Sequence, residues 1–306
     1  MWALGAVRVL SALFRCFQDM EDVKQLLAEY ARRYETPDFL PADPSCFMHK
    51  VDGDLNRETL AFIASCLSYG SRKQFFPKIQ YVLDCAHGEV YDWVVSGNFS
   101  ADIPDDDSRC YYRLYTFHTM NRFLHALRDM LLEHGSIGRF VERNATDGYS
   151  AVVAICGYFA SKDIEVIIPK DTKSACKRVC MFLRWMVRDG SPVDLGLWGH
   201  FIDKRTLIMP MDTHVVQEAV RLGLQQGGFD VGGEETDLED GRDISRRPAQ
   251  GRLRLVWLRC QPLTHDVAGA GRPENRKRGL EAIPIPFVTS PLAMLQPVAV
   301  VSSSLL

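Results

Sequence analysis

Two features of this sequence have the residue types that chemistry needs. The first is a carboxylate at the start of a helix. In "MPMDTHVVQEAVRLGL", Asp212 directly precedes the amphipathic run Val215, Val216, Ala219, Val220 and Leu222. That is an N-cap position, and structural capping is the usual role of an Asp so placed. Backbone N–H groups and the helix dipole keep such a carboxylate ionised. It can then hold a cation, or a developing positive charge, in a cleft. The second feature is the basic run "SACKRVCMFLRWMVR", Ser174 to Arg188. Lys177, Arg178, Arg184 and Arg188 follow Lys170 and Lys173, and from Lys170 to Arg188 the only acid is Asp171. Val179, Phe182, Leu183 and Met186 give the same run a core stripe. A solvated helix face is the ordinary reading of such charge. The other reading is a local patch for a polyanion.

The rest of the chain limits what these features can serve. A formal net charge of −3 excludes a global field that attracts polyanions, so any nucleic-acid surface must be local. Nine cysteines stand without a C-x-x-C pair. This predicts reduced thiols in a cytoplasmic setting, with no zinc ribbon, iron–sulfur cluster or other cofactor. No apolar run reaches spanning length, so no membrane contact is expected. Met20 opens "MEDVKQLLAEYARRY", and residues 1–19 are read as an upstream extension.

The elements that must position these groups are helical in period almost throughout, which predicts an all-α fold. Val23 to Tyr34, "LNRETLAFIASCL" with Asp54 as its cap, "SRKQFFPKIQYVLDCA", Tyr111 to Glu133, Gly148 to Ala160, Lys173 to Arg188 and Asp212 to Leu222 read as helices. "IEVII", Ile164 to Ile168, is the one β-prone stretch, and "SADIPDDDSR" is a solvated loop.

A Lys near a helix start, followed by a Pro-x-Asp-x-His cap one element later, resembles the helix-hairpin-helix DNA glycosylases of the endonuclease III superfamily. The resemblance implies a two-lobed helical bundle that acts on damaged or abasic DNA as a monomer. It makes Lys177 the amine that attacks the sugar C1′, and Asp212 the carboxylate that assists. "ETLAFIASCLSYGSRKQ" is similar to the superfamily segment whose polar loop enters the duplex. By this likeness Ser68, Tyr69, Gly70 and Arg72 contact DNA, with Tyr69 as a wedge between bases. Lys170, Lys173 and Arg178 complete the implied DNA surface. The blocks "DPSCFMHKV", "ASCLSYGSR", "KRVCMFLRWMVR", "VDLGLW" and "PMDTHV…LGL" together resemble an uncharacterised bacterial family, domain of unknown function 2400, over about Met20 to Leu224. The superfamily's hairpin has two glycines that bring backbone N–H groups to a phosphate. Here the matching place is "IIPKDTKSACK", which keeps Pro169 and lacks both.

The expected function is therefore base-excision glycosylase activity, with lyase activity through a Lys Schiff base. Two alternatives stay open. One is a nucleic-acid-binding module of the same fold without chemistry. The other is an enzyme acting on RNA or free nucleobases.

Residues 225–306 lose the apolar period and turn rich in Gly and charge, then end in unpunctuated apolar sequence. The resembled family ends in a motif like Phe-Pro-x-Asp-Pro-x-Lys-x-Asp-Phe-Ala-Leu-Phe-Gly. Ile244 to Pro262, "ISRRPAQGRLRLVWLRCQP", yields FPEDPLKGDFALFGYGVN when read one base later with permitted codons. The tail is thus read as the product of a frameshift near Gln225 to Phe229, poorly ordered and following a helical domain over 20–224. The encoding nucleotide sequence checks this. A one-base shift there is expected to restore the motif, and a stop codon or unrelated sequence would refute it.

Overall fold

The computed structural model describes residues 25–210, residues 23, 215 and 217, and the segments 228–229 and 235–236. Asp212, the extension 1–19 and nearly all of the tail from 225 lie outside the described residues. The fold is mostly helical and of the all-α class. Helix α1 runs over 25–34. Two 3-10 turns follow, Pro37–Ala42 and Pro44–His49. Then come α2 (Asp54–Leu67), α3 (Arg72–Cys85), α4 (Val90–Ser96) and α5 (Phe99–Asp102). A small hairpin, β1 (Cys110–Tyr112) with β2 (Tyr115–Thr116), leads into α6 (Phe117–His134). Helices α7 (Ile137–Asn144), α8 (Gly148–Ala160) and α9 (Lys177–Val187) complete the body. A second strand pair, β3 (Gly228–Phe229) with β4 (Glu235–Thr236), is antiparallel.

Helix α2 lies at the centre because its sequence leaves it no polar face. Glu58 through Leu67 are all buried, and a helix apolar all round must be covered all round. It packs against the second 3-10 turn, α3, α4, α7 and α9. Its two buried hydroxyls bond back to its own carbonyls. Thr59 Oγ1 donates to Leu55 O at 2.7 Å, and Ser65 Oγ donates to Phe62 O at 2.8 Å. The Phe62 ring sits 5.0 Å from Phe182, 5.4 Å from Phe159 and 6.0 Å from Phe123. One side chain thus joins α2 to α9, α8 and α6. Each such aromatic pair contributes about 0.5–1.5 kcal/mol beyond its area.

Several expectations need correction. Tyr111 to Thr116 forms the hairpin, not the first turns of a helix. Tyr111, Tyr112 and Tyr115 are buried there, and the Thr116 hydroxyl accepts from Thr119 N at 3.1 Å to start α6. "IEVII" folds as a turn, with Ile168 N donating to Ile164 O at 3.1 Å. Asp54 lies inside the first turn of α2, and Gly53 at φ +80° is the cap. Helix α9 begins at Lys177, not Lys173. The short helices α4, α5 and α7 were not anticipated, since one or two turns give too little period to read; α5 takes Ser100 to Asp102 out of the stretch read as a solvated loop, and Ile103 there is buried.

Glu58 is the polar exception within α2. Its carboxylate accepts from Ile137 N at 2.8 Å, Gly138 N at 2.9 Å and Trp198 Nε1 at 2.8 Å. It satisfies the open N–H groups that begin α7. Gly138 is required for this approach, because a Cβ there would lie 2.7 Å from Trp198 Nε1 and 2.8 Å from Glu58 Oε1. Burial pushes the Glu58 carboxyl from 4.5 up to about 7, outweighing the donors that favour the anion. Between those values the folded protein holds more protons than the unfolded chain, so stability falls as pH rises through that window. Glu58→Gln turns an acceptor oxygen into a donor facing N–H groups. It should cost about 1–3 kcal/mol and flatten that pH slope, as measured by urea unfolding at both ends of the window.

Candidate functional site

The end of α2, the turn over 68–71, the starts of α3 and α9, and the 3-10 segments enclose a cleft of about 910 Å³. Ser68, Tyr69, Gly70, Arg72 and Lys177 all line it, together with Lys73, Phe76 and Met181. The structure therefore brings together in one cleft residues that lie more than a hundred positions apart. The turn that makes this possible is locally built. Ser68 Oγ donates to Ala64 O at 2.6 Å and ends α2. Gly70 takes φ +80°, where a Cβ would collide with Arg113 Nη1 and lie 3.0 Å from Tyr112 Oη. Only glycine meets both demands at low cost. Arg72 Nη1 donates to Ala42 O and ties α3 to the first 3-10 turn.

Tyr69 is a packed wall of this cleft. Its ring lies 5.1 Å from Tyr112 and 5.4 Å from Tyr115. The guanidinium groups of Arg113 and Arg178 lie over it at 5.2 and 5.4 Å, a cation–π arrangement. Its hydroxyl is buried and has no hydrogen-bond partner among the described residues. The hairpin behind it is held by phenols. Tyr111 Oη donates to Lys78 O at 2.7 Å, and Tyr112 Oη donates to Tyr69 O. Burial pushes the Tyr111 and Tyr115 hydroxyls well above the usual phenol range.

The basic run divides sharply. Lys177, at the first turn of α9, lines the cleft. Arg178, expected on the DNA surface, turns inward. It donates to Cys66 O at 3.0 Å and to Tyr115 Oη, so it serves the end of α2. Arg184 and Arg188 enter a buried lattice with Glu35 and Asp194. Arg188 Nη2 lies 2.8 Å from Glu35 Oε1, and its Nη1 lies 3.2 Å from Asp194 Oδ2. Arg184 reaches the same two acids at 3.2 and 3.6 Å. Asp194 is fully covered, at 0% side-chain exposure. The solvated-face reading of these two arginines is thus corrected: their partners come from distant segments. Lys170 and Lys173 are exposed, 3.9 Å from Glu165 and Asp171, and do not line the cleft. Asp212 lies outside the described residues.

Sequence reasoning missed Lys73, Phe76, Met181 and Arg113. Lys73 and Phe76 follow Arg72 in a helix read only for its period. Arg113 sits at φ +52° at the hairpin tip, in a stretch read as helix.

Residues 43–233 match the model of a family described as "Protein of unknown function (DUF2400)". The chain belongs to that family. No curated protein and no solved structure matches it. The DUF2400 match spans every residue named in the cleft apart from Ala42. Among the described residues no helix is long and apolar enough to cross a membrane. Among them also, no group of three or more His, Cys, Asp or Glu is placed to hold a metal ion.

Arg178→Met keeps the volume of the side chain but leaves Cys66 O without its charged donor. It is expected to lower stability by about 1.5–3 kcal/mol, as read by chemical denaturation.

Proposed function

We propose that this chain is a base-excision DNA glycosylase that also acts as an abasic-site lyase through Lys177. The observation that supports the reading best is the cleft. Lys177, Arg72, Lys73, Tyr69 and Phe76 line it together, with no carboxylate among the described lining residues. Cations in such a place suit a phosphate backbone, and aromatic rings suit the flat face of a base. A damaged base leaves the stack and enters the cleft. The Lys177 amine bonds to the sugar C1′ as the bond from C1′ to the base breaks, and the base leaves with a proton from that amine. The ring-opened adduct is a Schiff base, from which the strand is cleaved. In this proposal Asp212 supplies the negative charge that steadies the cationic sugar, as the likeness to helix-hairpin-helix glycosylases implies. That likeness also implies the two-lobed arrangement, with Ser68, Tyr69, Gly70 and Arg72 on the loop that reaches into the duplex. Lys170 and Lys173, both exposed, add charge on the outer approach.

A second reading is a binding module of the same fold without chemistry. It is favoured by "IIPKDTKSACK", which lacks the hairpin glycines. It predicts salt-dependent binding without strand cleavage. Action on RNA or free nucleobases is the third reading, and it predicts tight nucleobase binding with no DNA affinity.

Borohydride reduction in the presence of duplex DNA carrying an abasic site separates these. A covalent protein–DNA adduct is expected with the unaltered chain and is expected to vanish with Lys177→Ala. No adduct, or an equal adduct from the variant, would remove the reading that Lys177 forms a Schiff base with DNA.

A further inference from the structure

The function proposed above makes no use of the thiols beneath the cleft wall. Cys176 is the residue directly before Lys177, and it caps α9 with its backbone in the left-handed region, at φ +44°. Its sulfur lies 3.8 Å from the sulfur of Cys156 on α8. Cys176 Sγ is also 3.5 Å from Ser174 Oγ. The neighbouring Cys180 thiol is directed elsewhere, toward Ala175 O at 3.8 Å. Lys173, Ser174 and Ala175, on the loop that leads into Cys176, are exposed. Cys176 itself is only 4% exposed, so the site calls for a small oxidant entering through that loop.

We propose that Cys176 and Cys156 form a peroxide-reactive dithiol site whose oxidised state is a disulfide placed immediately before Lys177. In the first step the Cys176 thiolate attacks one oxygen of hydrogen peroxide. A sulfur–oxygen bond forms, the oxygen–oxygen bond breaks, and hydroxide leaves. Cys176 becomes a sulfenic acid, oxidised by two electrons. In the second step the Cys156 sulfur attacks the Cys176 sulfur. The disulfide forms, the sulfur–oxygen bond breaks, and water leaves with the Cys156 proton. With hydrogen peroxide the sum is two thiols oxidised and one peroxide reduced to two waters.

The roles of the two sulfurs follow from their environments. The hydrogen bond from Cys156 draws the Cys176 thiol down to about 7, against burial and with help from the Ser174 hydroxyl. The same hydrogen bond, together with burial, holds Cys156 in its protonated form. Cys176, with the Ser174 hydroxyl 3.5 Å from its sulfur and its place at the start of α9, is the attacking thiolate, and Cys156 is the resolving thiol. Bonding would close the sulfur separation from 3.8 Å to about 2.05 Å. That closure ties α8 to the residue directly before Lys177. The inference does not require Lys177 to be a nucleophile.

The test is peptide mapping of the full chain, folded, treated with hydrogen peroxide and digested without reductant. A Cys156–Cys176 linked peptide is expected, lost on adding a dithiol reductant. Its rate of formation should rise as pH passes about 7, where the thiolate comes to dominate. In Cys156→Ala, a dimedone-type reagent should label Cys176. In Cys176→Ala, Cys156 should stay unmodified. The proposal fails if Cys176 stays reduced while the exposed Cys110 oxidises, or if Cys176 links to Cys66 or Cys180 instead. Mapping of the unaltered protein decides this even if a variant does not fold.

Discussion

Phe62 touches the rings of Phe123, Phe159 and Phe182, so α2 cannot shift without disturbing α6, α8 and α9 together. Interiors packed to crystal-like density do not deform smoothly. The cleft inherits this rigidity because its turn over 68–71 is the direct continuation of α2. At the other end of the same helix, Glu58 fixes the start of α7 and the Trp198 indole. One covered helix therefore sets both the packing of the body and the place where its surface opens.

Charge is arranged around the same frame. Of the four basic side chains in and just beyond α9, three are committed to the interior. Arg178 serves a carbonyl of α2, while Arg184 and Arg188 share Glu35 and Asp194. Buried ion pairs gain little net stability, since desolvation opposes their attraction, but loss of one member is costly. The lattice is best seen as a device of registration: it joins the end of α1, the end of α9 and the segment near Asp194. The positive character of the cleft comes instead from Arg72, Lys73 and Lys177, on two helices that start at its rim.

The helical period carried most of the fold. Gly148–Ala160 and the run through Leu67 end where the apolar pattern ends. The hairpin escaped because tyrosines and a leucine at those positions fit a helical stripe as well as a strand pair. Only burial of the rings and the Thr116 cap distinguish the two. The cleft was partly legible. Ser68 to Arg72 and Lys177 were singled out by resemblance to known blocks, and nothing in period or spacing places them together. The inward turn of Arg178, Arg184 and Arg188 could not be read, because Cys66, Tyr115, Glu35 and Asp194 are remote in sequence. Asp212 falls outside the described residues, so the role proposed for it rests on its place before an apolar run in the sequence and on the likeness to helix-hairpin-helix glycosylases.

The hairpin that backs Tyr69 has strands of three and two residues, too short for ladder bonds to hold it. Phenol hydroxyls do that work, with Tyr111 on Lys78 O and Tyr112 on Tyr69 O. Burial resists loss of the proton from Tyr111 and Tyr115. Their charge is thereby coupled to their burial: exposed tyrosines ionise first as pH rises, and the last part of the phenolate absorbance belongs to the wall of the cleft.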